Sequence, residues 1–149
     1  MDDAGVLTLA KQSGAQAYLG TAQDIPTTTW TLVNLDTVVY DIQSEFNTTT
    51  HRFTAKKAGL YLVVGSCGYD KAQVVADTLV GQAIYKNGVE ANSNYLHTAI
   101  ASHVLFQVTT VISLAVNDYL ELKVYHNFGI TRTLRTGIVA TSLTVMKIA

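Results

Sequence analysis

The chain has 149 residues, a length that supports one domain with a real hydrophobic core. Only 14% of residues are charged, against about 25% in an ordinary globular protein. The net charge is −1 with lysine and arginine scattered, so a basic nucleic-acid footprint is excluded, and no apolar run reaches the roughly 18 residues of a membrane span.

In chain order, residues 1–16 are weakly patterned and read as an N-terminal arm. Val6, Leu7 and Leu9 are its candidate anchoring residues. The acidic start lacks a basic segment followed by an apolar run, so no secretory signal is expected. Residues 17–149 read as the folded domain. Ala17–Leu19 is a short strand, and Asp24-Ile25-Pro26 is a turn. Thr28–Val33 alternates, with Trp30 and Leu32 on one face, and Thr37–Tyr40 is a β-branched run. Ile42–Thr50 is a polar loop anchored by Phe46.

His51–Tyr69 reads as strand, tight turn, strand. Its turn, Lys56–Gly59, ends on glycine, and Leu60–Val64 is apolar on both faces. Such a strand is either central in a sandwich or shared with another subunit. Thr78–Tyr85 and Val89–Leu96 flank Lys86-Asn87-Gly88, where Asn-Gly suits a type I′ turn. His103–Leu114 is again apolar on both faces. Asn117-Asp118 turns the chain into Tyr119–Tyr125, which places Leu120, Leu122 and Val124 inward. Asn127–Gly137 is a long loop, and Thr141–Ile148 is the last strand. About ten short strands without a helical period describe an all-β sandwich or barrel.

Signals for chemistry are weak. Cys67 is the only cysteine and reads as a small buried hydrophobe. His51, His97, His103 and His126 match no metal motif and read as surface or loop residues. Gly65-Ser66-Cys67-Gly68 has the look of a nucleophile loop but lies inside an expected strand. Catalytic residues: none. Six aromatics fall in loops or on outward positions: Tyr18, Tyr69, Tyr95, Tyr119, Tyr125 and Phe128. Exposed rings of this kind are common recognition anchors.

Several elements in order resemble the globular head of the q subunit of complement component one, in the tumour-necrosis-factor-like jelly-roll superfamily. They are Phe46, Phe53-Thr54, Ala58-Gly59-Leu60-Tyr61, Lys86-Asn87-Gly88, Ile112-Ser113-Leu114, Asn117-Asp118 and Leu120-Glu121-Leu122. Asn117 stands where the family carries glycine. The resemblance implies a ten-stranded jelly-roll sandwich that assembles as a compact homotrimer. With strand parity it implies that Leu62, Val64, Gln107, Thr109 and Val111 face the three-fold axis, flanked by Ser142, Thr144 and Met146. Tyr61, Val63, Phe106 and Val108 would then fill the core. No collagen-like Gly-X-Y run precedes the domain, and the chain is most similar to stand-alone heads of phage and bacterial type. Some members hold calcium on loop acids, so Asp70, Asp77 and Asp118 are the candidates. Those acids do not cluster, so no cofactor is expected and they read as solvated turn residues.

The function expected from this is non-enzymatic: a homotrimeric virion-surface protein, either a capsid decoration or a fibre tip. Its partners would be itself and a viral capsid or tail protein, with no nucleic acid and no membrane span. The alternative is a receptor- or carbohydrate-binding adhesin module at an extracellular or bacterial surface. That module would meet a cell-surface glycan through a groove formed by Tyr95, His97, Phe128 and Arg132.

Overall fold

The computed structural model describes residues 12–149, so Val6, Leu7 and Leu9 of the expected arm lie outside the described residues. In chain order the strands are β1 (Gly14–Tyr18), β2 (Asp24–Ile25), β3 (Thr31–Leu32), β4 (Thr37–Asp41), β5 (Phe46–Asn47), β6 (Arg52–Thr54), β7 (Gly59–Tyr69), β8 (Thr78–Lys86), β9 (Val89–Thr98), β10 (Val104–Leu114), β11 (Tyr119–His126), β12 (Arg132–Thr133) and β13 (Ser142–Lys147). The described residues thus hold thirteen strands rather than about ten, and four of them have two residues each.

Two antiparallel sheets face each other. Sheet one has the order β10-β7-β13-β1-β4, and sheet two the order β5-β6-β11-β8-β9 with β3 beside β11. A small ribbon of β12 and β2 completes the jelly roll. The core between the sheets holds Phe53, Tyr61, Val63, Ile84, Leu120, Leu122, Val124, Leu143 and Val145, all essentially without solvent contact. The sheets approach each other closely at Gly65. A Cβ there would lie 2.6 Å from Leu122 Cδ1, so any larger residue would make the facing leucine shift.

Most turn chemistry follows the sequence. Asn87 and Gly88 adopt φ of 50° and 80°, the left-handed pair that a type I′ hairpin between β8 and β9 demands. Asn117 also has positive φ, at 72°, so asparagine supplies the geometry the family's glycine would supply.

The His51–Tyr69 stretch is not a hairpin. β6 pairs with β5 and β11, whereas β7 pairs with β10 and β13. The Lys56–Gly59 turn therefore carries the chain from one sheet to the other. Strand propensity and a glycine turn specify that the chain turns, not which neighbour it pairs with. The boundary expected after residue 16 falls inside β1, whose residues 14–18 pair with β13. Asp24-Ile25 is a strand of the small ribbon rather than a turn, and only Thr31–Leu32 of the 28–33 run pairs.

The entry of the chain is fixed by a residue that alternation does not pick out. Glu45 is 3% exposed and its carboxylate accepts three hydrogen bonds. They come from Ser13 Oγ at 2.6 Å, Gly14 N at 3.0 Å and Lys56 N at 2.9 Å. Phe46, the expected anchor of this loop, is partly buried against the core beside it.

Candidate functional site

The candidate site is the outward side of sheet one. Successive residues of a strand point to opposite faces, so burial of one set assigns the other. Tyr61, Val63, Phe106, Val108, Leu143 and Val145 are buried. Leu62, Val64, Thr109, Val111, Thr144 and Met146 therefore point away from the core. The register aligns them in rows across the strands. One row is Val111–Leu62–Met146, and the next is Thr109–Val64–Thr144–Gln16. Gln107 and Leu105 continue the same face of β10 and are exposed.

This face is uncharged and mixes apolar with neutral polar side chains. Leu62 is 37% and Val111 54% exposed. No Asp, Glu, Lys or Arg occurs in 60–66, 105–113 or 142–146. Its polar groups are partly satisfied within the chain: Gln16 Nε2 donates to Thr144 Oγ1 at 3.0 Å. At one end the face is closed by the segment before β13, where Ser66 Oγ donates to the Ala140 carbonyl. At its β10 edge, Asn94 Nδ2 donates to the Gln107 carbonyl at 2.8 Å and Asn92 Nδ2 to that of Thr109 at 3.4 Å. Those asparagines occupy edge carbonyls that another strand would need. The arrangement favours packing against the face over strand addition.

The expected groove of Tyr95, His97, Phe128 and Arg132 does not form. Tyr95 and His97 share the exposed side of β9. His97 lines a shallow cleft of about 170 Å³ with Leu96, Ile100, Ser102 and His103. Phe128 is a core residue, 6% exposed, stacked on His126 at 4.6 Å and edge-on to Tyr69 at 5.4 Å. Arg132 is partly buried in β12, and its Nε has no hydrogen-bond partner among the described residues. Tyr69, expected outside, is fully buried as well.

His126 is likewise no surface histidine. It is fully buried, with Nε2 facing the Ile25 carbonyl at 2.9 Å and Nδ1 facing the Phe128 N–H at 3.2 Å. Those partners suit the neutral ring with its proton on Nε2, and burial pushes its pKa down. The signal that would have found Phe128 and His126 is their continuation of the inward parity of Leu120, Leu122 and Val124.

On the outer side of sheet two the rings gather elsewhere. Trp30, held over the sheet by the loop before β3, has its ring centroid 5.6 Å from Tyr125, 5.8 Å from Tyr95 and 6.3 Å from Tyr85. Gly81 makes room for them: a Cβ there would lie 2.8 Å from the Tyr95 ring and 3.3 Å from Trp30. Beside them Lys123 Nζ sits 4.1 Å over the Tyr85 ring, and Arg52 sits 4.2 Å over Tyr119. Both cations approach Glu121, at 3.9 and 2.7 Å.

The acids considered for calcium lie apart. Asp118 pairs with Lys86 at 2.9 Å and accepts from Asn87, at the end of the sandwich where β11 begins. Asp70 lies at the opposite end, near His103 and Arg135. Among the described residues no three His, Cys, Asp or Glu side chains form a metal-binding group. Ser66 and Cys67 lie inside β7 and are buried, and burial pushes the Cys67 thiol far above its ordinary range. Among the described residues no helix is long and apolar enough to cross a membrane.

A family model for the C1q domain matches residues 17–140. No curated protein matches the chain in sequence. Among solved structures, the globular domain of zebrafish complement 1qA protein is similar with a TM-score of 0.71 at 12% identity, covering 93% of this chain and 98% of that one. Murine APRIL at pH 5.0 gives 0.69 at 13% identity, covering 93% and 100%. The Eiger TNF of S. frugiperda gives 0.67 at 11% identity, covering 93% of each chain. At such identities these structures establish the fold.

Proposed function

This chain belongs to the C1q domain family, and from that premise we propose that it is a non-enzymatic binding module whose three copies close around the outward side of sheet one. The observation that carries this reading is the uncharged face of Leu62, Val64, Gln107, Thr109, Val111 and Met146. Fully burying one leucine or valine side chain contributes about 1.5–3 kcal/mol. Three-fold symmetry repeats each such gain in every copy. A head-to-tail contact that closes after three copies leaves no such face open. Light scattering behind a sizing column tests it. The expected mass is three times the 16.1 kDa of one chain; a stable monomer sinks the trimer.

The finer reading is a virion-surface trimer, a capsid decoration or a fibre tip. The disposition of the chain ends supports it. Lys147 N donates to the Ser13 carbonyl and Leu60 N to that of Ala149, so both ends of the described chain leave beside the 56–59 turn. The loops at 70–77, 99–103 and 127–141 gather at the other end. A trimer would then direct three N-terminal segments toward one support, with Val6, Leu7 and Leu9 as anchors. Removing residues 2–11, which spares the Ser13–Glu45 contact, is expected to keep the trimer and abolish co-sedimentation with the particles that carry it. Unchanged co-sedimentation removes the arm from the reading. The second reading, an adhesin module, is favoured by the exposed rings of sheet two.

A further inference from the structure

We infer that the outer side of sheet two carries a saccharide site centred on Trp30, Tyr85, Tyr95 and Tyr125, shaped for a neutral pyranose. This deepens the binding-module reading and rests on it. Three observations converge. First, four separate segments of the chain bring their rings to one place, and Gly81 lets Tyr95 and Trp30 settle onto the sheet. Tyr95 is still 49% exposed, so the cluster is open to solvent.

Second, the hydroxyls of Tyr85, Tyr95 and Tyr125 have no hydrogen-bond partner among the described residues, and none is among the buried unpartnered atoms. Tyrosine joins an apolar body to a polar tip. A pyranose matches that pairing: one face of C–H bonds to lie on a ring, and a rim of hydroxyls to exchange hydrogen bonds. Third, the neighbouring cations are already engaged. Arg52 and Lys123 both turn toward Glu121, and each lies over a tyrosine ring. Among the described residues these two cations face Glu121, and Glu90 lies close enough to act on Tyr85 and Tyr95, so the patch carries no net positive charge to select a sulfate, phosphate or sialic acid. The site lies on the opposite side of the sandwich from the sheet-one face.

Trp30 is the chain's single tryptophan, which makes its emission a direct reporter of this patch. The full-length protein would be titrated with the methyl glycosides of glucose, mannose, galactose and N-acetylglucosamine, and printed on a glycan array. Saturable change in Trp30 emission with at least one of them is expected. Tyr95→Ala should weaken that binding about tenfold, the scale of one lost ring contact. Tyr95→Phe and Tyr125→Phe, which keep the rings and remove only hydroxyls, should weaken it less while leaving the thermal midpoint unchanged. Silence from all four glycosides and the array overturns the site. So does glycan binding that leaves Trp30 emission unmoved and survives Tyr95→Ala, or binding confined to sialylated or sulfated glycans. A trimer of the expected mass with no sugar response would sink this site alone and leave the module reading standing.

Discussion

The outer faces of the two sheets are finished in different ways. Sheet two partly covers its own surface. Trp30 folds over Tyr85, Tyr95 and Tyr125, and Glu121 draws Arg52 and Lys123 across the strands. Among the described residues sheet one has no such cover over Leu62, Val64 and Val111, and its outward rows carry no charge with which to hold water. Both faces include residues that a sequence window marks as apolar. One is packed in large part by its own strands and loops and the other is left open among the described residues, and that difference is the one the proposed trimer would use.

Charge placed on each face should break the comparison most visibly. Val64→Asp sets a carboxylate in the middle row of sheet one, where three copies would be buried without partners. The expected result is loss of the trimer to a folded monomer by light scattering, with the β circular-dichroism spectrum retained. Thr29→Asp, beside Trp30 on the other side of the sandwich, should leave the mass unchanged. If both variants stay trimeric, the face has been misassigned.

A smaller effect tests whether sheet two is packed rather than merely decorated. Gly81→Val would press side-chain atoms into the Tyr95 and Trp30 rings, which stand 2.8 and 3.3 Å from the position of a Cβ. Overpacking of this kind costs about 1–3 kcal/mol. The thermal midpoint should fall and Trp30 emission should shift to the red as the ring is lifted into water. Trimer mass should not change. An unshifted spectrum would mean that the rings do not rest on Gly81.

The strands, the two sharp turns and the family were legible in the sequence because they rest on local rules. Alternation put Leu62 and Thr109 on the side away from Tyr61 and Phe106. Asn87-Gly88 and Asn117 announced their left-handed backbones. What was not legible depends on pairing at long range. The crossover at Lys56–Gly59 looked like a hairpin because a glycine turn between two apolar runs carries no record of which sheet receives each strand. Phe128 and His126 looked exposed because they follow the last clean alternation of β11, yet the inward parity runs on through them. Glu45 was invisible for the opposite reason. A buried carboxylate among polar loop residues has no pattern, and only the fold shows Ser13, Gly14 and Lys56 converging on it. The aromatic patch is a mixed case: Tyr95 and Tyr125 were singled out, but Tyr85 was read only as the end of a strand, and Trp30, which joins them, comes from a distant loop.

The smallest expected effect concerns acid. The outward rows of sheet one contain no carboxylate, histidine, lysine or arginine, so trimer mass should stay level between pH 8 and pH 4. Asp118 lies at the link between the sheets, before β11. The hydrogen bond from Lys86, followed by those from Asn87 and the Ala115 N–H, holds its pKa down to about 2 from an ordinary 3.8. A carboxylate depressed in the folded state contributes stability that is fully present above its unfolded value and is lost as pH falls through the folded one. That contribution therefore disappears between about pH 4 and pH 2. Other carboxylates titrate in the same range, so the readout is a difference. Asp118→Asn should have a slightly lower thermal midpoint than the parent at pH 6, and the gap should close as both approach pH 2. A gap that stays constant with pH would mean that Asp118 acts through the shape of its turn and not through its charge.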